Sequence, residues 1–288
     1  MDRQNTQGPG RVLALSSQVA LGHVGLSAAV PVLQALGRGV TALPTILLSN
    51  HPGWPNVAGR AVAVDELQAM IDALEANGWL DDHDTLLTGY LPSAGHVALA
   101  ARLIDRMRGR VPGLRVIVDP VLGDAPKGLY LDRGAAATLR DELAPRADVL
   151  TPNLFELGWL TGRTGPDGKA GEMMGETGTD PRDAQGQTLA AARTFGCRVI
   201  VTSAPAGPGR TGCLDVAGAT DPAPRLLTTP LQQGVPHGVG DAFSALIAAG
   251  CEPPAALGHL QALIMSSLGT GHLRIAETAP AWLRAPPV

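Results

Sequence analysis

The chain has 288 residues, of which 45% are hydrophobic and 17% are charged, and its net charge is −4. This length supports one large domain with a substantial core, and the composition excludes a disordered chain. Aromatic residues make up only 3% of the chain and no basic stripe occurs, which argues against nucleic-acid binding.

No apolar stretch reaches the roughly 20 residues that a bilayer span needs, so we expect no membrane association. Residues 1–10 lack the apolar run of a secretory signal and are predicted to be a flexible leader. The three cysteines, Cys197, Cys213 and Cys251, form no metal-spaced pair. Their odd number favours reduced thiols and a cytoplasmic location.

Strand-like and helical patterns alternate through the first part of the chain. The predicted strands cover 11–17, 40–48, 84–89, 115–120 and 148–152, and the predicted helices cover 25–36, 64–76, 94–108, 134–143 and a segment from Asn153. This alternation is typical of βαβ units. It predicts an α/β fold with a mainly parallel sheet that helices cover on both faces.

Residues 162–180 are rich in glycine and charge, and we interpret them as a mobile surface loop because the alternation resumes afterwards. Asp180 is predicted to cap the next helix, with Pro181 at its first position. The runs 197–203 and 211–217 predict a strand pair near the sheet edge. No internal repeat or second composition regime occurs, which favours a single domain.

The segment before the helical pattern DAFSALIAAG is the most informative for chemistry. The first amides of a helix lack intrahelical partners and lie at the positive end of the helix dipole, so Gly238, Val239 and Gly240 are predicted to form an anion hole. Asp241 follows in the first turn, where a carboxylate either stabilises the helix or accepts the proton of an attacking hydroxyl group. The motif alone leaves both interpretations open.

The signatures of other phosphate-binding proteins are absent. The chain has no GxxxxGK[ST] motif and no HRD or DFG set of a protein kinase. It contains only two lysines, Lys127 and Lys169. Phosphate chemistry in this chain must therefore use backbone amides and a metal ion in place of a P-loop lysine, with Lys127 as an optional further contact.

Five segments specify the fold further: LALSSQVALGHVGLSAAV, LLSNHPGWPNVAGR, VDPVLGDAPKGLYL, LTPNLFELGWLTG and HGVGDAFSALI. In this order they resemble the pyridoxal kinase family of the ribokinase-like superfamily, from about Arg11 to about Leu268. The resemblance implies a ribokinase-like three-layer αβα sandwich and a single kinase domain over 11–288. It also implies a homodimer that uses ATP to phosphorylate the 5′-hydroxymethyl group of pyridoxal, with Asp241 as the catalytic base.

The resemblance implies the following substrate-binding residues: Ser17, His51, Pro52, Gly53, Tyr90 and Asp241. Ser17 corresponds to the family serine that contacts the pyridine ring. Tyr90 corresponds to a ring-contacting tyrosine, although a tyrosine at a strand end is also a common packing residue. The chain departs from the family at two positions, because Gln18 replaces a histidine and Pro52 replaces a threonine.

For ATP the resemblance implies contacts from Asp119, Thr151, Glu156, Thr202, Thr229, Pro230, Leu231 and Gln232. It also implies that Asp119 and Glu156 hold Mg²⁺ through water, with a monovalent cation as a further candidate cofactor, and that Lys127 touches phosphate. Each role has a structural alternative: a turn before Pro120 for Asp119, a capping box with Asn153 for Glu156, and a solvated surface side chain for Lys127. Both roles of Glu156 can hold at once.

Two other functions stay open at this point. Gln18 and Pro52 change groups that are expected to face the ring, so a kinase of a related ring alcohol such as hydroxymethylpyrimidine is the first alternative. A non-catalytic vitamer-binding homologue is the second alternative. Intact Gly238, Gly240 and Asp241 argue against it, because binding alone needs no phosphoryl site with a base.

Overall fold

The structure is a computed structural model that describes residues 10–163, 181–218 and 223–288. The predicted leader, apart from Gly10, lies outside the described residues. So do the greater part of the predicted loop 162–180 and its final residue, Asp180.

The described residues form eleven strands: β1 (Arg11–Val19), β2 (Gly39–Leu48), β3 (Gly59–Ala61), β4 (His83–Thr88), β5 (Arg115–Val118), β6 (Gly123–Asp124), β7 (Gly128–Leu129), β8 (Val149–Leu150), β9 (Arg198–Pro205), β10 (Arg210–Val216) and β11 (Arg225–Pro230). Nine of them make one sheet in the order β11-β10-β9-β8-β5-β4-β1-β2-β3, and β6 and β7 form a separate hairpin. The central run from β9 to β2 is parallel, whereas β3, β10 and β11 pair antiparallel at the two ends. The prediction of a mainly parallel sheet with a strand pair near its edge is confirmed.

The α-helices of the described residues are α1 (Leu26–Ala35), α2 (Val64–Ala76), α3 (Ala94–Arg108), α4 (Arg133–Thr138), α5 (Leu154–Leu160), α6 (Pro181–Phe195), α7 (Val239–Ala248), α8 (Pro253–Ser267) and α9 (Ala279–Trp282). The predicted bounds of α2 and α3 are confirmed, and α6 begins at Pro181 as predicted. The patterns did not predict α8, α9, β3 or β11. None of the described helices combines the length and the apolar character that a membrane crossing requires.

Alternation along the central strands divides the core between the two faces of the sheet. In β1, Leu13 and Leu15 pack with α2 to α6, whereas Val12 and Ala14 pack with α1, α7, α8 and α9. Successive strand side chains point to opposite faces, so each buried strand supports two helical layers. The three-layer αβα arrangement is confirmed.

Two predicted strands are shorter in the structure. The run 115–120 leaves the sheet after Val118, and the run 148–152 pairs only over Val149–Leu150. Both runs end at a proline, Pro120 or Pro152, and proline has no amide hydrogen to donate to a neighbouring strand. Asp119 and Thr151 therefore lie just beyond the carboxyl ends of β5 and β8.

Candidate active site

A crevice of about 890 Å³ opens along the carboxyl ends of the parallel strands and the first turn of α7. Crevices of open α/β sheets form at this edge, where loops after neighbouring strands diverge. The predicted site residues all line it: Ser17, His51, Pro52, Gly53, Tyr90, Asp119, Thr151, Glu156, Thr202, Thr229, Pro230, Leu231, Gln232, Gly238, Val239, Gly240 and Asp241. Residues from distant parts of the sequence are thus brought to one surface.

The turn before α7 depends on glycine at position 238. Gly238 is the residue before the helix and has a φ angle of +93°. A Cβ atom there would lie 1.7 Å from the carbonyl oxygen of His23, so no other residue fits without moving the backbone. The first helical hydrogen bond runs from the amide of Ala242 to the carbonyl of Gly238. The amides of Gly238, Val239 and Gly240 precede that bond, which is the arrangement of a helix N-terminal anion site.

Asp241 lies partly buried in the crevice and is held by backbone amides. Its carboxyl group accepts hydrogen bonds from the amide of Gly25 and from its own amide. Burial raises the pKa of Asp241 to about 6, although the two amide hydrogen bonds lower it in part. A carboxylate that titrates near neutral pH is suited to accept a proton at physiological pH.

Sequence reasoning missed Gly25, which has a φ angle of +56°. A Cβ atom at Gly25 would lie 2.2 Å from the carbonyl oxygen of Ser17, so the backbone there is pressed against the end of β1. The available signal was a glycine directly before a helical pattern. Its contact with a residue of α7 was not visible in the sequence.

Asp119 is buried at the floor of the crevice and is bonded to α7. The Ser244 hydroxyl donates to Asp119 Oδ2 at 2.8 Å, and Ser244 Oγ also lies 2.8 Å from Thr151 Oγ1. Burial, and next the nearby charge of Asp241, raise the pKa of Asp119 to about 8, against the lowering effect of the Ser244 hydrogen bond. Ser244 was not predicted, because a serine within an apolar helix pattern gives no sign of its partner.

Glu156 closes the capping box of α5 that its spacing predicted. Its Oε2 accepts from the Asn153 amide at 2.8 Å, and Asn153 Oδ1 accepts from the Glu156 amide at 3.0 Å. Its Oε1 accepts from the Leu122 amide at 3.0 Å. Burial, followed by the charge of Asp119, raises the pKa of Glu156 well above its usual value. The capping role is therefore confirmed while the carboxylate also lines the crevice.

The two buried carboxylates, Asp119 and Glu156, are ligand types that suit Mg²⁺. Magnesium is usually bound by one or two carboxylates together with water and substrate phosphates. Among the described residues no cluster of three or more His, Cys, Asp or Glu side chains could hold a metal ion by itself. The negative charges of Asp119 and Glu156 repel each other at the floor of the crevice. A divalent cation shared with phosphate oxygens would relieve this repulsion.

The proposed ring end of the crevice is built from the ends of β1 and β4 and the loop after β2. The Tyr90 amide donates to Ser16 Oγ at 3.0 Å, and the Thr45 hydroxyl donates to the Tyr90 carbonyl at 2.7 Å, so the backbone of Tyr90 is fixed. Its half-buried side chain lines the crevice. Pro52 also lines it and is exposed.

The expectation that Gln18 faces the ring is wrong. Its neighbours Ser17 and Val19 line the crevice, whereas Gln18 is exposed and is not a lining residue. Gln18 also bridges Gly25 through the backbone. The pairing of β1 with β2 shifts its register between Ser16 and Gln18, so the regular alternation of side chains is interrupted here and Gln18 lies outside the crevice lining.

The opposite end of the crevice is apolar and is bounded by a helix that the patterns missed. Leu257, Leu260 and Ile264 of α8 line it together with Thr229 to Gln232 at the end of β11. An apolar wall beside a few polar groups is typical of small-molecule sites.

Lys127 lies in the turn between β6 and β7. It lines the crevice and forms an ion pair with Asp124 at 3.7 Å.

Known proteins are similar to this chain in both sequence and architecture. The family model described as phosphomethylpyrimidine kinase matches residues 22–259. The chain is 38% identical over 240 residues to a pyridoxine/pyridoxal/pyridoxamine kinase of Bordetella bronchiseptica, which covers 82% of this chain and 79% of that protein. It is 32% identical to the pyridoxal kinase PdxY of Leifsonia xyli, over 83% of this chain and 80% of that protein.

A solved structure extends the similarity to nearly the whole chain. The pyridoxal kinase from Leishmania donovani in complex with ADP and pyridoxine superposes with a TM-score of 0.83 at 28% identity, covering 96% of this chain and 97% of that chain.

Proposed function

The chain belongs to the pyridoxal kinase family, and we propose that it transfers the γ-phosphoryl group of ATP to the 5′-hydroxymethyl group of pyridoxal. The products are ADP and pyridoxal 5′-phosphate. The observation that carries this proposal is the position of Asp241, which lies in the same crevice as Ser17 and directly after the anion-hole turn. An acid buried elsewhere, or facing away from this crevice, would have no part in the reaction.

In the proposed reaction Asp241 accepts the proton of the 5′-hydroxyl group as the oxygen attacks phosphorus. The new O–P bond forms while the bond between the γ-phosphorus and the bridging oxygen of ADP breaks. The amide of Gly25 orients the Asp241 carboxylate, and the amides of Gly238, Val239 and Gly240 stabilise the charge on the transferring oxygens.

Asp119 and Glu156 would hold Mg²⁺, which supplies positive charge to the phosphates when it is bound. Both Glu156 oxygens already accept backbone hydrogen bonds, so its contact with the ion is proposed to run through water. Ser244 holds the Asp119 carboxylate in place through its hydroxyl group. Thr151, Thr202 and Lys127 are proposed to contact the triphosphate.

The apolar end of the crevice is proposed to hold the adenine base between α8 and the end of β11, at Thr229, Pro230, Leu231 and Gln232. Ser17, His51, Pro52, Gly53 and Tyr90 are proposed to hold the pyridine ring. The ring and the triphosphate then approach Asp241 from opposite ends of the crevice.

The chain is further proposed to act in the cytoplasm, as a homodimer in which residues 11–288 form one kinase domain. The family resemblance supports the dimer and the single domain. Burial raises the pKa of Cys197 and of Cys213 to about 12, which supports unreactive, reduced thiols.

A second candidate substrate is hydroxymethylpyrimidine. Pro52 lines the crevice at the position of a family threonine and has no hydroxyl group to donate, and the family model that matches the chain is described as phosphomethylpyrimidine kinase. The position of Gln18 removes the other reason for this alternative. A vitamer-binding protein without catalysis is disfavoured by the placement of Asp241 in the first turn of α7.

The proposed function is tested with a substrate panel for the purified chain and magnesium ATP. Release of ADP is measured with pyridoxal, pyridoxine, pyridoxamine and hydroxymethylpyrimidine in parallel. We expect the highest kcat/KM with pyridoxal. If kcat/KM is highest with hydroxymethylpyrimidine, the chain is a kinase with that compound as its substrate. Pyridoxal binding without ADP release would show that the chain is a binding protein.

A further inference from the structure

Two imidazole rings stack at the mouth of the crevice, where the proposed ring site meets the anion hole. The rings of His51 and His237 lie 3.9 Å apart between centroids with an interplanar angle of 24°. His51 belongs to the loop after β2, and His237 directly precedes Gly238 of the anion-hole turn. The stack therefore joins the loop that is proposed to hold the ring to the turn that is proposed to hold phosphate.

The orientation of His51 is fixed by a backbone hydrogen bond. The Gly53 amide donates to His51 Nδ1 at 3.0 Å, so a neutral His51 carries its proton on Nε2. A Cβ atom at Gly53 would lie 2.9 Å from His51 Nδ1 and 3.3 Å from His237 Nε2. The loop thus approaches both rings closely. Protonation of His51 at Nδ1 would break or distort the hydrogen bond that this nitrogen accepts from the Gly53 amide. His237 is the ring of the pair that is free of this constraint.

In the part of the chain that the structure describes, the crevice lining carries little fixed positive charge for a polyphosphate ligand. Its lining includes four carboxyl groups, those of Asp119, Asp124, Glu156 and Asp241, and one lysine, Lys127. Lys127 is already paired with Asp124. The two histidines are the remaining lining groups among the described residues that can become cationic near neutral pH.

The surroundings favour the uncharged form of both rings before a ligand enters. Burial lowers the pKa of His51 most, followed by the charges of His237 and Lys127, whereas Asp124 raises it. Burial and then Lys127 lower the pKa of His237, and Asp124 again raises it. A bound polyphosphate would reverse this balance, because a nearby anion favours the imidazolium form. Two imidazolium rings in a stack repel each other. The pair can therefore take up only one proton beyond the one that each neutral ring already carries.

We propose that the His51–His237 pair takes up one proton when a nucleoside polyphosphate binds, so that His237 becomes a positioning residue for the phosphate chain. This inference rests on the proposed function and adds to it a proton-linked charge at the mouth. Nucleotide affinity should therefore rise as the pH falls through the pKa of the liganded pair, and should level off once the pH is below the pKa of the free pair.

The test is calorimetric titration with magnesium ADP at pH 7.0 in buffers of different ionisation enthalpy, which gives the protons taken up on binding. The native chain should take up on the order of half a proton to one proton more than His237→Asn. Protons exchanged by ADP, magnesium and the floor carboxylates are common to both proteins and cancel in this difference. The affinity of the native chain should also fall by roughly threefold to tenfold between pH 6.5 and 8.0, relative to the variant.

A second variant separates charge from packing. His237→Lys carries a fixed cation, so it should bind magnesium ADP without the extra proton. Its affinity should change with pH no more than that of His237→Asn. The control is His272→Gln, which removes a histidine that does not line the crevice and should keep the native proton uptake.

The outcomes distinguish this inference from the proposed function. Equal proton uptake by the native chain and His237→Asn, in a chain that phosphorylates pyridoxal, overturns the inference alone. Loss of the extra proton in His272→Gln also overturns it, because the proton would then belong to another site. A native chain that neither binds magnesium ADP nor releases ADP from ATP contradicts both.

Discussion

The floor and the mouth of the crevice differ in how their side chains are held. At the floor, Asp119 and Glu156 are buried, and both they and Asp241 are bonded to a hydroxyl group or to backbone amides. At the mouth, Pro52 and Lys127 are exposed on turns. Burial raises the pKa of all three floor carboxyl groups, which disfavours their charged forms in the free protein. The floor is therefore arranged for chemistry at the expense of stability, whereas Pro52 and Lys127 at the mouth carry no such burial cost.

The largest effect should come from Asp241→Asn at the floor. The amide cannot accept the hydroxyl proton, so kcat should fall by about 10³-fold while the Kd for magnesium ATP changes little. Steady-state kinetics and a nucleotide titration check this. Asp65→Asn is the matched control, because Asp65 is also an acid in the first turn of a helix but does not line the crevice. A near-native rate for Asp241→Asn would leave Asp241 with a helix-stabilising role only.

The next effect should come from the turn that shapes the floor. Gly238→Ala places a Cβ atom against the His23 carbonyl at a positive φ angle, and should lower the free energy of unfolding by about 2–4 kcal/mol. Gly234→Ala is the control, because Gly234 has a φ angle of +67° but no atom within 4 Å of the added Cβ. It should lose only about 1–2 kcal/mol. Denaturant unfolding of both variants separates the clash from the backbone conformation, and equal losses would contradict a special constraint at Gly238.

When magnesium ATP is saturating, the pH dependence of kcat/KM for pyridoxal should report Asp241 at the floor. The pKa of Asp241 is raised to about 6, and its charged form is the base. With magnesium ATP saturating, the kcat/KM for pyridoxal should therefore be constant above this pH and fall about tenfold per pH unit below it. Pro52→Thr changes the mouth and should keep the same inflection. An inflection that moved with Pro52→Thr would show that the two regions are coupled.

Stability should rise when a floor charge is removed. The pKa of Asp119 is about 8 in the folded chain, above its usual value of 3.8. The folded chain therefore keeps this proton over a pH range in which the unfolded chain loses it, and the stability of the folded chain falls as the pH rises from about 4 to 8. Asp119→Asn keeps an acceptor for the Ser244 hydroxyl but has no charge. Its Tm should exceed that of the native chain by about 3–5 °C at pH 8.5 and by less at pH 5. Kinase activity should fall in the same variant, and an unchanged Tm difference across pH would contradict the raised pKa.

The smallest effect should come from the mouth. Pro52→Thr restores a hydroxyl group and should raise the preference for pyridoxal over hydroxymethylpyrimidine by about threefold to tenfold, the effect of one hydrogen bond. The ratio of the two kcat/KM values measures this, and the Tm should stay the same because Pro52 is exposed. Pro55→Thr, in the same loop but outside the crevice lining, should leave the ratio unchanged. A fold-change in this ratio larger than the fold-change in kcat caused by Asp241→Asn would reverse the ranking of floor and mouth.

Several elements could be predicted because their signals are local. The 3.6-residue apolar period set the bounds of α2 and α3, and Pro181 marked the start of α6. The capping box of Asn153 and Glu156 was readable from its spacing. The patterns did not reveal α8. Its mixture of apolar, glycine and proline residues gave no clear period, and its position follows from packing against α7 and α9.

What the sequence determined by itself was the alternation of strands and helices and the glycine-rich turn before Asp241, since both depend on neighbours along the chain. The tertiary structure alone decided that Gly25 donates to Asp241, that Ser244 holds Asp119, that His237 stacks on His51, and that Gln18 points away from the crevice. The three contacts among these features join segments that are distant in sequence, and they exist because the parallel sheet places the ends of its strands at one edge. A pattern of adjacent residues has no means of recording such a distance.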